Sequence, residues 1–189
     1  NACLQSDLYE ELTIQLYNLQ PSADAAYNIG QYYLKKDQPE YQKAAKYYDE
    51  AISRAEDTLK KADYYYDAAV IASARNRRRQ ARSYAEKALD LKPDMGKAYI
   101  LIGKQYAESA GSCGDNSFEQ LHPYWLAADM MAKAKSVDPE VSEEAGKLMG
   151  RYSGRFPRQE DAFMHGVKPG DTITIGCWIQ RSTTARFIK

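Results

Sequence analysis

The stretch between Ala62 and Pro93 constrains the fold most, because small and aromatic residues recur there at helical spacing. They are Tyr65, Ala68, Ala69 and Ala72 in a first predicted helix, and Ala81, Ala85 and Ala88 in a second. Pro93 closes this two-helix unit, since proline cannot continue a helix. Such a unit does not bury its apolar face by itself, so the flanking sequence should contain copies of it.

Two copies are found, one on each side of this unit. The first supplies Ala26, Ile29, Gly30 and Tyr33, then Ala44, Tyr48 and Ala51; the third supplies Tyr99, Ile102, Gly103 and Tyr106, then Ala127, Met131, Ala134 and Pro139. Ala69 and Gly103 occupy the same place in consecutive units and lie 34 residues apart. These segments resemble tetratricopeptide (TPR) repeats, whose pattern W-x2-L-G-x2-Y, A-x3-F and P recurs over 34 residues. The resemblance covers residues 23–153.

Three departures from the pattern define the remaining regions. Residues 1–22 are expected to form a helix that packs on the array through Leu8, Leu12, Leu16 and Leu19, with Ser6 as its N-cap. Pro93 and Pro139 lie 46 residues apart, so the third repeat holds an insert at about 110–121. Residues after Pro139, including Ala145, Leu148, Met149 and Tyr152, are expected to form the capping helix that a solenoid needs.

The tail, residues 154–189, changes in texture from helical to β-rich. Alternation over 171–179 and a second run over 183–187 predict a β-hairpin. Because a lone hairpin is marginal in water, we expect it to dock on the capping helix or to pair with residues 162–164. The predicted fold is therefore all-α: a TPR-type helical-hairpin solenoid of about three repeats and a capping helix, with a short C-terminal β-hairpin.

The TPR resemblance implies a concave groove, lined by the first helix of each repeat, that holds a peptide or a partner protein. The residues that it places in the groove are Tyr27, Asn28, Gln31, Lys35, Tyr66, Asp67, Val70, Ser73, Lys97, Ile100, Leu101 and Lys104. One TPR subclass clamps a C-terminal carboxylate with lysines, an arginine and asparagines on these helices. Here only Lys97 matches that set, so no such clamp is predicted.

Composition and motifs favour a binding protein over an enzyme or a nucleic-acid-binding protein. Lysine plus arginine equals aspartate plus glutamate, 26 each, so no global field attracts nucleic acid. The arginines at 75, 77, 78, 79 and 82 fit a solvated turn and lack interleaved aromatic residues that stack on bases. His122 and His165, the two histidines, lie in no metal or catalytic motif, and Cys113 with His122 in an insert fixes no catalytic geometry. We predict no enzyme activity, no cofactor and no metal.

The three cysteines leave the compartment open. Cys113 in the insert and Cys177 in the hairpin are expected to form a disulfide if the protein meets an oxidising compartment. Cys3 is either an ordinary thiol or a lipidated residue. No apolar run is long enough to span a membrane. The tail loosely resembles those of exported bacterial TPR proteins, which implies an exported or periplasmic location, with the cytoplasm as the alternative.

Two functions follow from these features. The first is a non-catalytic scaffold that binds a peptide or partner protein in the concave groove. The alternative is a structural component of an exported or envelope assembly, which contacts its partners through the insert, Trp125 and the C-terminal hairpin.

Overall fold

The structure is a computed structural model that describes residues 7–188, apart from the side chains of residues 7 and 9. Over this range the helices are α1 (Asp7–Leu19), α2 (Ala23–Leu34), α3 (Tyr41–Arg54), α4 (Thr58–Ala74), α5 (Arg78–Leu91), α6 (Gly96–Ala107), α7 (Pro123–Val137), α8 (Ser142–Ser153) and α9 (Gln159–Met164), and the strands are β1 (Thr172–Ile175) and β2 (Arg181–Thr184). The chain forms two compact units, Asn1–Lys92 and Pro93–Lys189, which are described separately. The predicted division at residues 22 and 153 stays a prediction.

The first unit contains two helix pairs, α2 with α3 and α4 with α5. Ser22 begins α2 by accepting a hydrogen bond from the N–H of Ala25 (3.1 Å), and Asp57 begins α4 by accepting from Leu59 and Lys60. Such caps satisfy backbone donors that the first helical turn leaves unpaired. The buried alanines and tyrosines of the repeat pattern form the core of this unit.

Small residues at equivalent positions of the repeats are required by close helix packing. A Cβ atom built on Gly30 would lie 2.7 Å from the ring carbons of Tyr48 on the paired helix. In the second unit, a Cβ on Gly103 would overlap Met131 of α7 in the same way. The predicted role of these positions, to let paired helices approach, is confirmed.

Helix α1 packs on the rest of the first unit through a different face from the one expected. The leucines of its predicted stripe are exposed, Leu19 by 83%, so the expectation that they pack on the first repeat is wrong. Its contacts come from buried Tyr17 and from Glu10, whose carboxylate accepts hydrogen bonds from Tyr33 (2.9 Å) and Lys36 (2.7 Å). These hydrogen bonds lower the pKa of Glu10 to about 2, and the bond from Lys36 has the larger effect. Ser6, the predicted N-cap, and Cys3 lie outside the described residues.

The second unit is built around α7, which packs between α6 and α8. Pro123 occupies its first turn, where the missing N–H of proline costs no hydrogen bond. Trp125, Ala127 and Met131 are fully buried on this helix. Residues 108–122, where the insert was expected, lead from α6 to α7 and contain a single 3₁₀ turn at Glu119–Leu121.

The tail forms the predicted hairpin, but β1 is shorter than the predicted alternation over 171–179, and β2 begins at Arg181, before the run predicted over 183–187. β1 and β2 pair antiparallel, with Thr172 opposite Thr184 and Ile175 opposite Arg181. β1 ends before Cys177 because that residue has φ 51°, the left-handed conformation that interrupts a strand. Residues 162–164 lie in α9, so the expected strand pairing with them is wrong.

The hairpin docks on α7 rather than on the capping helix α8. The indole N–H of Trp125 donates a hydrogen bond to the backbone carbonyl of Arg186 (2.6 Å). The guanidinium of Arg186 in turn donates to the backbone carbonyl of Trp125 (2.7 Å). Asp129 of the same helix accepts from Thr183 Oγ1 (2.6 Å) and pairs with Arg186 (2.7 Å). These contacts cover the two-stranded sheet on one side, which supplies the partner that an isolated hairpin lacks.

Candidate peptide-binding site

In the first unit, the residues predicted for the groove lie on α2, on its C-cap and on α4. They fall into an exposed group and a half-buried group. Asn28, Lys35 and Val70 are exposed, Val70 by 39%. Tyr27, Gln31, Tyr66, Asp67 and Ser73 are half-buried. The exposed group offers an amide, a cation and an apolar side chain to a ligand.

The half-buried residues of this unit include a hydrogen-bond network centred on Asp67. Its Oδ2 atom accepts from Tyr27 Oη (3.1 Å), Gln31 Nε2 (3.2 Å) and Tyr48 Oη (3.3 Å). Gln31 Nε2 also contacts Tyr48 Oη at 2.6 Å. Burial is the main cause that raises the pKa of both Tyr27 and Tyr48, and the negative charge of Asp67 is the second. Both phenols therefore stay protonated and donate hydrogen bonds. Tyr27, Gln31 and Asp67 therefore bond to one another and form a rigid floor.

In the second unit, the predicted residues lie on α6 and only part of the set reaches the surface. Ile100 is 4% exposed and belongs to the core, because it shares the inward side of α6 with buried Gly96 and Gly103. This burial corrects its assignment as a surface residue. Lys97, Leu101 and Lys104 are half-exposed.

Lys104 lies in a cleft of about 490 Å³ within the second unit. Its lining residues are Lys104, Ala107 and Glu108 from α6, Tyr124 from α7, and Leu148, Arg151, Tyr152 and Arg155 from α8 and the turn after it. In the repeat pattern, α6 and α8 are consecutive first-type helices, the kind that lines the groove in a TPR array. A volume of this size falls within the range of known ligand sites.

The cleft combines positive charge with aromatic surface. Lys104, Arg151 and Arg155 face a single acidic lining residue, Glu108. Lys104 is also paired with Glu144 (2.9 Å), while Arg151 and Arg155 are exposed and form no ion pair among the residues that the structure describes. The rings of Tyr124 and Tyr152 lie 6.1 Å apart, and burial raises the pKa of Tyr152. An anionic ligand with apolar groups fits this surface.

A second cavity of about 370 Å³ brings together the insert, both histidines and β1. His122 is buried, and this burial lowers its pKa to about 4, so it is neutral at pH 7. Cys113 lies on the same cavity, but its sulfur is bonded to that of Cys177, with Cα atoms 5.5 Å apart. A disulfide-bonded sulfur is not a thiolate, so this cysteine and His122 do not form a nucleophile and base. The formation of the disulfide in the expressed protein stays a prediction.

Within residues 7–188, no group of three or more histidine, cysteine or acidic residues has the arrangement of a metal site. Over the same range, no helix combines the length and the apolar character that crossing a lipid bilayer requires.

Sequence reasoning missed Arg151 on α8, Arg155 in the turn after it, and the aromatic wall of the second cavity. Arg151 and Arg155 are four residues apart in the sequence, with Tyr152 between them. Phe118 and His122, which line that cavity, lie four residues apart. Both spacings can be found in the sequence, but neither shows which other elements share the surface.

The comparisons with known proteins identify the fold. No protein-family model matches the chain, and no curated protein matches it. The TPR2B domain of yeast Sti1, solved in complex with pHsp70, is 22% identical with a TM-score of 0.56, over 70% of this chain and 97% of that one. A crystal structure of MamA is 26% identical with a TM-score of 0.50, over 66% of this chain and 63% of that one.

Three observations point to the same fold: the similarity to these two structures, the helix pairs of both units, and the 34-residue spacing of Ala69 and Gly103. The predicted fold class is confirmed: the chain is a helical-repeat protein with the tetratricopeptide repeat fold, ending in a short antiparallel β-hairpin.

Proposed function

We propose that the protein is a non-catalytic scaffold that binds an acidic peptide segment of a partner in the cleft between α6 and α8. The observation that carries this proposal is the lining of the cleft, where three cations and two tyrosines face one acidic residue. TPR structures support protein interaction in general, and the Sti1 domain was solved with pHsp70. The predicted groove residue Lys104 is part of this surface.

The geometry favours a peptide over a small metabolite. The cleft is open, and Arg151 and Arg155 carry their charges on long exposed side chains, with half-exposed Lys104 beside them, rather than inside a closed pocket. Arginine pairs with carboxylates through two parallel N–H donors, so Arg151 and Arg155 can each bind one acidic side chain. Tyr124 and Tyr152 supply apolar surface at little cost in side-chain entropy.

The test uses a defined acidic probe, a fluorescein-labelled peptide of alternating Asp and Val, acetylated and amidated at its ends. Its matched control replaces each Asp by Asn. Fluorescence anisotropy should show binding of the acidic probe, and affinity at least about tenfold weaker for the Asn probe because the charge-assisted hydrogen bonds are lost. A higher salt concentration should weaken binding of the acidic probe, because the interacting charges are exposed to solvent and are screened.

Charge reversal locates the interaction on the protein. Arg151→Glu and Arg155→Glu should each lower the affinity about tenfold, since attraction becomes repulsion at the site. Lys147→Glu is the matched control, because Lys147 lies on the same helix, pairs with Glu143 and does not line the cleft. Equal binding of the two probes, or an equal effect of all three substitutions, would contradict the proposal.

A further inference from the structure

The cavity beside the hairpin lies along an edge of the sheet and not across one of its faces. Four consecutive residues of the hairpin, 173–176, line it. Successive side chains of a strand point to opposite faces, so a cavity that touches all four lies against the strand's edge. Its other walls come from the insert and from the segment after α9: Cys113, Gly114, Phe118, Glu119, His122, His165 and Val167.

Backbone register shows which polar groups face that edge. The N–H of Ala185 donates to the carbonyl of Asp171 (2.8 Å), which makes this opposed pair the hydrogen-bonded type. Since pair types alternate along an antiparallel ladder, Thr172 and Thr174 belong to the other type, and their N–H and C=O groups point away from β2. The Oγ atoms of Thr174 and Ser182 lie 2.9 Å apart, as expected for the type with closer side chains.

Within residues 7–188, β1 pairs with no strand other than β2. The outward peptide groups of Thr174 therefore border the cavity as an unpaired edge. An exposed edge of this kind is a template for pairing with another extended chain.

His122 supplies a second unmatched polar group on the same cavity. The side chain is 6% exposed, and its Nε2 atom has no hydrogen-bond partner among the described residues. Its ring stacks on Trp125 with centroids 4.3 Å apart and meets the edge of Phe118 at 4.9 Å, so its orientation is fixed. A buried polar atom without a partner is destabilising, and a ligand group with the right hydrogen bond would remove that cost.

We propose that this cavity is a strand-addition site, where an extended peptide pairs with the outer edge of β1 and directs a hydroxyl side chain to His122 Nε2. A peptide is the class that fits, because only a backbone offers donors and acceptors at the spacing of the Thr172 and Thr174 groups. A hydroxyl both donates and accepts, so it satisfies Nε2 in either tautomer of the neutral imidazole.

Charge excludes an acidic side chain at this point. The Glu119 carboxylate lies in the cavity wall, held by the N–H of Asp115 (2.9 Å) and the Asn116 amide (2.8 Å). These bonds keep it ionised, and the amide hydrogen bonds lower its pKa. The site therefore selects Ser, Thr or Tyr, whereas the α6–α8 cleft selects acidic groups, and neither site requires the other.

The test uses a fluorescein-labelled Val-Thr-Val-Thr-Val peptide, acetylated and amidated, as the hydroxyl probe. One control replaces both Thr by Val, which keeps the shape and removes the hydroxyls. A second control is N-methylated at alternate peptide nitrogens, which blocks strand pairing. Anisotropy should rank the hydroxyl probe first and show no saturable binding of the methylated probe.

Two proline variants locate the contact on one edge of the sheet. Thr174→Pro removes the outward N–H of residue 174 in β1, a change that an edge strand tolerates. This variant should bind the hydroxyl probe with about tenfold lower affinity. Ser182→Pro makes the same change on the opposite edge and loses the same Thr174–Ser182 contact, so it should leave binding within about twofold. Circular dichroism and the thiol count verify folding of both.

His122→Phe keeps the aromatic packing and removes Nε2, so it should make the affinities of the hydroxyl and Val probes equal. None of these three variants should change the binding of the acidic probe. Absence of hydroxyl-probe binding, equal loss in both proline variants, or a preference for hydroxyls that survives His122→Phe would each overturn the proposal.

Discussion

Removal of the Cys113–Cys177 bond should destabilise the second unit strongly. The two cysteines are 64 residues apart, and the entropy of closing a loop of that length corresponds to about 4 kcal/mol at 25 °C. The effect acts on the unfolded chain, so the docking contacts of Trp125 and Arg186 do not compensate for it. Cys177→Ser should therefore lower the free energy of unfolding of this unit by up to about 4 kcal/mol.

Both tryptophans of the chain, Trp125 and Trp178, lie in the second unit and report on its unfolding. Fluorescence in guanidinium should show a lower midpoint for Cys177→Ser, and for the wild type in reductant, than for the oxidised wild type. Cys3→Ser removes a thiol outside the bond and should leave the midpoint unchanged. The denatured, unreduced protein should titrate one thiol, and three after reduction. Three thiols before reduction, or unchanged midpoints, would refute this reasoning.

Three further predictions test the packing and the electrostatics of the two units. Gly30→Ala should lower the free energy of unfolding by about 1–3 kcal/mol, because the added methyl group would collide with Tyr48. Gly150→Ala is the control: the methyl group enters open space on α8, so the free energy of unfolding should not fall. Denaturant unfolding curves measure both values. Asp67→Ala removes the shared acceptor of one buried and two half-buried donors and should cost about 1–3 kcal/mol in the same assay, while unchanged stability would exclude the network as a stabilising element. Burial lowers the pKa of His122 from 6.5 to about 4, with Glu119 opposing and His165 assisting, so stability should fall by about 3 kcal/mol from pH 6.5 to 4 as the unfolded chain takes up the proton. His122→Phe should lose this dependence, and an unaltered profile in unfolding curves across that range would contradict it.

The helix pairs could be predicted because the information is local. Residues such as Gly30, Tyr48 and Gly103 meet their partners within one helical hairpin, and the spacing of small and aromatic residues reports that contact directly. The charges of the α6–α8 cleft required knowledge of which faces of two helices share a surface. Lys104 came from the TPR resemblance, whereas Arg151 lies on the capping helix and Arg155 in the turn after it, for which the pattern specifies no ligand position.

Apart from the pairing of Cys113 with Cys177, contacts over long separations could not be predicted. Trp125 and Arg186 bond across 61 residues, so the hairpin's docking on α7 leaves no periodic signal. The leucine stripe of α1 shows the limit of periodicity, because four apolar residues on one face predict a helix but not which face meets the core. There the polar contacts of Glu10 with Tyr33 and Lys36 fix the helix, and the leucines remain exposed.

The most direct test of the proposed function is an amide-resolved NMR titration of the ¹⁵N-labelled protein with the acidic Asp-Val probe. The account predicts saturable shifts for the amides that surround the cleft, including Ala107, Leu148 and Tyr152, and their loss in Arg151→Glu. Amides of α1 and β1 should not respond to this probe. Shifts centred on another surface, or none at concentrations that saturate anisotropy, would contradict binding in the α6–α8 cleft.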